Sequence, residues 1–204
     1  MSPGTHLLAS WLIAAKATKS IRDCRLVAWA GLLPDADGLG LLVDWINQGL
    51  FHRSTSYYSL YHHSLLHGIV GAVVISGIMA AFARQRLRVA FLSFVIVHLH
   101  LLCDWLGSRG PDPGDYWPIY YFSPIRNHPV WRWHGQWALD GWQNQLINTV
   151  LLVVCLALAV RRGRSFVGLF STRWDRIFVG VLKKWSNSVA LKLTARTSSE
   201  VADI

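Results

Sequence analysis

The sequence predicts an all-α, polytopic membrane protein with about three to five membrane helices and a C-terminal amphipathic helix at the interface. Three observations carry that expectation. Hydrophobic residues fill 52% of the 204 positions and Asp, Glu, Lys and Arg only 15%, against roughly 25% charged residues in an average soluble domain. Mean hydropathy is +0.31. Long apolar runs recur, broken by short basic turns. Such a composition excludes intrinsic disorder, and the length fits one membrane-embedded domain, residues 1–163, followed by a basic tail, residues 164–204.

Residues 7–15 and 26–33 are short apolar runs around a charged stretch, read either as tilted short spans or as a half-inserted hairpin. No positive segment precedes the first run, which argues against a cleaved signal peptide. Residues 65–83 form about nineteen apolar positions interrupted by one His, enough at 1.5 Å per residue to cross a roughly 30 Å hydrocarbon core. After the basic turn 84–88, residues 89–106 read as a second crossing that completes a helical hairpin. Residues 147–160, extended backwards by 142–146, make a third and end in Arg161, Arg162 and Arg164.

Twenty Lys and Arg against eleven Asp and Glu give a formal charge of +9. Nucleic-acid binding is not expected, because the basic groups fall where topology explains them. Lys16, Lys19, Arg22 and Arg25, then Arg84, Arg86 and Arg88, then Arg161, Arg162 and Arg164 close successive crossings on one side, which the positive-inside rule makes cytoplasmic. In the tail, Trp174, Ile177, Phe178, Val181, Leu182 and Trp185 recur at helical spacing among Arg173, Arg176, Lys183 and Lys184. That pattern describes an amphipathic helix on the inner leaflet, with fraying expected beyond Thr194. Cys24, Cys103 and Cys155 have no paired spacing, so neither a disulfide framework nor a thiolate zinc site is expected.

The chemistry collects at the other ends of the crossings. About Arg86 as midpoint, His67 lies nineteen residues before and Asp104 eighteen after, so an antiparallel helix pair brings them to nearly one depth, with His63 and His100 about a turn away. The same construction about Arg22 places His6 sixteen residues before, and Asp35 and Asp37 thirteen and fifteen after. His63 with His67, and His100 with Asp104, are i,i+4 pairs that share a helix face, while Asp35 and Asp37 are read on an extended segment. Seven nitrogen and oxygen donors therefore converge: His6, Asp35, Asp37, His63, His67, His100 and Asp104. They suffice for one or two divalent ions, zinc first. A lone His in a membrane helix is commonly a packing residue, but ionisable groups gathered at one level of a bilayer favour a site. His98 is read as core or as a support to a ligand, and His52, His62, His128 and His134 as loop residues or supports to the ligands rather than ligands, with His62 directly preceding His63. Residues 107–141, rich in Gly, Pro, Trp and Tyr, form an interfacial loop in which Arg109 and Arg126 are available for an anionic group.

The Thr5-His6 pair, Pro34-Asp35-Ala36-Asp37, His63-Ser64, His100-Leu101-Leu102-Cys103-Asp104, and the Gly-Ser-Arg-Gly-Pro and Trp-Pro-Ile-Tyr-Tyr-Phe-Ser-Pro stretches after it resemble, in that order, the LexA-binding, inner-membrane-associated metal-dependent hydrolases. The resemblance covers about residues 1–123. One stretch departs from the pattern: a His-Arg-Gly-x-Thr-His-Ser element is split here between His52-Arg53-Ser54 and His62-His63-Ser64. The resemblance implies a helical inner-membrane protein with a divalent-metal hydrolase site; LexA binding is not carried over. The expected reaction is attack of a metal-activated water on an ester or phosphoester of a lipid or lipid-linked substrate. Asp37 or Asp104 would take the proton and Arg109 or Arg126 steady the developing anion. The alternative is a non-catalytic metal-binding or ion-conducting membrane protein, against which stands the confinement of polar residues to one end of the spans.

Overall fold

The structure, a computed structural model, describes residues 1–62, 65–126 and 128–202, with side chains through residue 188. Eight α-helices are described: α1 (Pro3–Ala17), α2 (Ile21–Ala30), α3 (Gly40–Phe51), α4 (Tyr57–Tyr61), α5 (Ile69–Ala81), α6 (Arg86–Gly107), α7 (Trp142–Arg162) and α8 (Thr172–Ala202). Among the described residues there is no strand, only two isolated bridges, Arg109 with Ala138 and Ile119 with Trp131. The chain forms two compact units, Met1–Thr149 and Val150–Ile204.

In the first unit α1 packs on α2, α5 on α6, and α2 on both α5 and α6. Local chemistry sets the first hairpin. Ser2 Oγ accepts the Thr5 N–H at the start of α1, Pro3 occupies its first turn, and Ser20 caps α2, which satisfies amides that a helix start leaves open. The core face of α6 carries Val89, Ser93, Ile96, Val97, His100 and Asp104. Its opposite stripe, Leu87, Phe91, Val95 and Leu102, is exposed, and lipid is the solvent such a stripe requires. Among the described residues two helices, α6 and α7, are long and apolar enough to cross a membrane, and α2 with the segment Leu33–Phe51, bent by 49°, counts as a third if taken as one broken span.

Buried Asp23, on the first turn of α2, accepts the backbone N–H of Arg84 at 2.8 Å and of Gln85 at 3.2 Å. One carboxylate thereby joins the two basic turns at the same end of the unit. Asp23→Ala strands both amides, so a loss of about 2 kcal/mol is expected, with Asp23→Asn recovering part of it. Thermal unfolding in detergent measures this; an unchanged midpoint for the alanine variant would show that the bridge carries no stability.

Three expectations are corrected. The span at residues 65–83 contains a helix of only 13 residues, about 20 Å long. It starts late because Gly68 is extended and lies against the Tyr121 carbonyl, where a Cβ would collide, while the Ile69 N–H bonds that carbonyl at 2.8 Å. His67 therefore precedes the helix; His63, its expected i,i+4 partner, lies outside the described residues. The segment carrying Asp35 and Asp37 is a 3-10 helix, Leu33–Leu39, with Pro34 in its first turn. In the tail, α8 continues to Ala202 rather than ending near Thr194.

In the second unit, Gly163 closes α7 with φ +71°, a left-handed conformation that suits a residue without Cβ. A short 3-10 helix, Phe166–Leu169, then leads to α8. Asp175 is buried and accepts both the amide and the hydroxyl of Ser165, at 2.8 and 2.6 Å.

Candidate metal centre

Five sequence-predicted donors, from four elements, meet in the first unit: His6 from α1, Asp35 from the 3-10 helix, His67 ahead of α5, and His100 and Asp104 from α6. Gly31 makes room for the meeting. A Cβ there would collide with Ser10 and with Ile96 Cγ2, so the end of α2 lies close enough to α6 for the Gly31 carbonyl to face His100 Nδ1 at 2.8 Å.

That contact decides a tautomer. A carbonyl only accepts, so His100 Nδ1 carries a proton and donates it, leaving Nε2 as the ring nitrogen available to a metal ion. His67 Nδ1 is likewise 2.9 Å from Asp37 Oδ2, so Nε2 is the ring nitrogen that faces the other donors. The two Nε2 atoms face each other at 3.2 Å. Asp104 Oδ2 stands 2.9 Å from His100 Nε2 and 3.5 Å from His67 Nε2, and Asp35 Oδ1 is 3.5 and 4.0 Å from the same atoms. Four atoms able to bind a metal ion thus converge, and two carboxylates beside two imidazoles at these distances favour a cation among them. Bonds of about 2.0–2.1 Å in a tetrahedral zinc site put donors roughly 3.3 Å apart, and the distances here bracket that value.

Around these donors lies a layer that orients them. Asp37 is buried with both oxygens engaged: Oδ1 with His62 Nδ1 at 2.9 Å, and Oδ2 with His67 Nδ1 and the Leu66 N–H. It acts on His67 as an orienting carboxylate, not as the open base the sequence reading allowed. His6 stacks on His100 with ring centroids 3.8 Å apart and brings Nε2 to 3.1 Å from Asp104 Oδ1. Ser108 Oγ donates to the same oxygen at 2.8 Å, and the Met1 amino group bonds both Asp104 and Ser108. The donors fall into two groups, His6 with Asp35, His100 and Asp104, and Asp37 with His62 and His67. The His67 ring joins the two groups, one nitrogen to each.

A cavity of about 300 Å³ opens onto Asp35 and Asp104, bordered by Tyr58, His62, Trp117 and Leu139. No Lys or Arg is among the described residues lining it. Asp35 Oδ2 is buried without a hydrogen-bond partner. Burial, with the charges of Asp37 and Asp35, raises the pKa of the Tyr58 phenol, and its ring stacks on His62 at 4.6 Å.

The interfacial loop is anchored to the end of α6. Buried Gln136 donates to the Asp104 carbonyl at 2.9 Å and to those of Trp105 and Trp117, and accepts the Trp117 N–H. Asn144 donates to the Gly107 carbonyl. Both supply donors to carbonyls a helix end leaves unpaired.

Other sequence-predicted residues lie elsewhere. Arg109 donates to the Asp112 carbonyl and lines a neighbouring cavity. Exposed Arg126 sits 4.5 Å above the Phe122 ring. His98 bonds the Phe94 carbonyl and the Tyr121 hydroxyl, away from the cluster's partners. His62, read from sequence as a loop residue, belongs to the Asp37 group; its adjacency to His63 was the only signal. Nothing in the sequence pointed to Gly31 or Gln136, and Ser108 stood out only as part of the Gly-Ser-Arg-Gly-Pro stretch, with no role.

Fold and site together define a helical membrane protein with a buried cluster of His and Asp side chains able to hold a metal ion. The family model described as YdjM inner membrane protein matches residues 1–174. The chain belongs to that family. No curated protein and no solved structure matched it.

Proposed function

We propose that this chain is an integral-membrane, metal-dependent hydrolase that cleaves an ester or phosphoester of a lipid or lipid-linked substrate at the membrane interface. The observation that carries the proposal is the convergence of His67 Nε2, His100 Nε2, Asp35 Oδ1 and Asp104 Oδ2, with both imidazoles oriented from behind by Asp37 and the Gly31 carbonyl. Two nitrogens and two oxygens at that spacing suit one zinc ion. When bound, such an ion lowers the pKa of water and polarises the scissile group. Asp35 is the residue to accept the proton, because its Oδ2 has no partner and the residue borders the cavity; both Asp37 oxygens are occupied. Trp117 and Tyr58 wall the approach. Among the described residues no Lys or Arg lines that cavity, so an anionic group would be met at its edge, where Arg109 lines the adjoining cavity through the shared residues Ser108, Trp117 and Leu139. The cluster lies away from the basic turns, which puts it on the non-cytoplasmic side by the positive-inside rule.

The test uses the detergent-purified full chain, loaded with zinc or manganese and offered chromogenic phosphodiesters and carboxylic esters in mixed lipid micelles. Turnover is expected to need the ion. General-base removal by Asp35→Asn is expected to slow it roughly 100-fold or more while some ion binding persists. A protein that binds the ion yet turns over no ester of either kind would sink the hydrolase reading and leave a metal-binding membrane protein.

A further inference from the structure

The second unit carries a surface that the metal centre does not use. On α8, Trp174, Ile177, Val181 and Trp185 are 63%, 50%, 61% and 69% exposed. At 100° per residue these four positions fall within an arc of roughly 80°, so they form one stripe. The buried positions Asp175 and Val179, with half-buried Phe178 and Leu182, occupy a neighbouring arc that packs within the unit, where Phe178 meets Phe166 with centroids 6.0 Å apart. Arg173, Arg176, Lys183 and Lys184 fill the far flank of the stripe, all exposed. Asp175, the one acidic residue of this stretch, is occupied by Ser165. The exposed face is therefore apolar and cationic, with no acidic side chain between Arg173 and Ser188 left to offset it.

Its position limits what can cover it. α7 passes the criteria for a membrane span and ends at Arg162. The nine residues from 163 to 171 reach at most about 32 Å even if fully extended, and they include a 3-10 turn that shortens them. The start of α8 is thereby kept near the membrane surface at which α7 ends. From Trp174 to Trp185 the stripe is roughly 16 Å long, and all four side chains reach one plane only when the helix lies along it. Trp at both ends of the stripe suits the headgroup level.

We propose that α8 docks lengthwise on an anionic lipid leaflet, with Trp174, Ile177, Val181 and Trp185 entering it and Arg173, Arg176, Lys183 and Lys184 meeting its headgroups. Charge complementarity selects the occupant. A zwitterionic surface would satisfy the stripe but leave four cations without partners, whereas an anionic leaflet attracts each Lys or Arg held beside it.

The test is trypsin cleavage at Lys183 and Lys184 of the full chain in nanodiscs, which expose both faces. Discs of phosphatidylcholine alone are compared with discs containing one third phosphatidylglycerol, each with wild type and with a Trp174→Ser, Val181→Ser, Trp185→Ser variant whose charge is unchanged. Cleavage of the wild type is expected to be at least about tenfold slower in the anionic discs, given four cations at the leaflet, and to recover at high salt. The triple variant in the same discs is expected to lose most of that protection, which also controls for any effect of lipid charge on trypsin. Equal rates for the wild type in the two kinds of disc would overturn the proposal. So would equal protection in lipid-free detergent, which would mean that a second copy of the chain covers the stripe.

Discussion

Purified in detergent, the wild-type chain is expected to retain about one zinc-class ion per molecule, and His100→Ala to retain none after gel filtration. His100 supplies a ring nitrogen facing His67 at 3.2 Å and Asp104 at 2.9 Å, so its loss removes a donor that no neighbour replaces. Asp104→Asn is the near-isosteric companion: it keeps the shape of the buried side chain and removes the charge that offsets the cation. Asp37→Asn differs in kind, because it disturbs only the group behind His67; a 10- to 100-fold weaker affinity is expected there. Elemental analysis with competition by a chelator ranks the three. If His100→Ala and Asp104→Asn both bind metal as the wild type does, the centre is not where these donors meet.

Gly31→Ala is expected to damage both the packing of the first unit and the candidate centre. A methyl group at that position overlaps Ser10 on α1 and Ile96 on α6, so three helices must part to admit it. Overpacking of this kind costs about 1–3 kcal/mol, and the Gly31 carbonyl that accepts from His100 Nδ1 moves with the backbone. The variant should therefore lose metal affinity together with thermal stability. Ser10→Gly in the same chain opens the α1 side of the collision and should return part of both. A Gly31→Ala protein that melts and binds metal like the wild type would show that the helices do not approach this closely.

Much of this architecture is legible in the residues. The helices α6 and α7 announce themselves by uninterrupted apolar runs bounded by Arg, and counting outward from Arg86 places His67 and Asp104 at one level without any template. What escaped detection depends on contacts between distant segments. Leu65 and Leu66 continue the apolar run of α5, and only the Tyr121 carbonyl, fifty-three residues after Gly68, stops the helix at Ile69. Five-residue α4 is too short to show a period, which left His62 unassigned. Asp37 reads as a ligand by residue type and depth; that it faces His67 Nδ1 and His62 Nδ1 could not be read from spacing, which holds no record of ring orientation. Arg109 and Arg126 were chosen for charge alone, and the loop that carries them turns them toward Asp112 and Phe122.

The bridge from Asp23 to the Arg84 and Gln85 amides can be regarded as a fulcrum. The α1–α2 and α5–α6 hairpins are two arms clamped at one end, with the donors far along them. From Arg86 to His100 the arm is roughly 21 Å, so a splay of only one degree about the clamp displaces a donor by roughly 0.4 Å. Metal–ligand bonds tolerate about 0.2 Å. Angular stiffness at the basic turns, together with the packing of α2 on α5 and α6, would then bear on how sharply a bound ion is selected by radius.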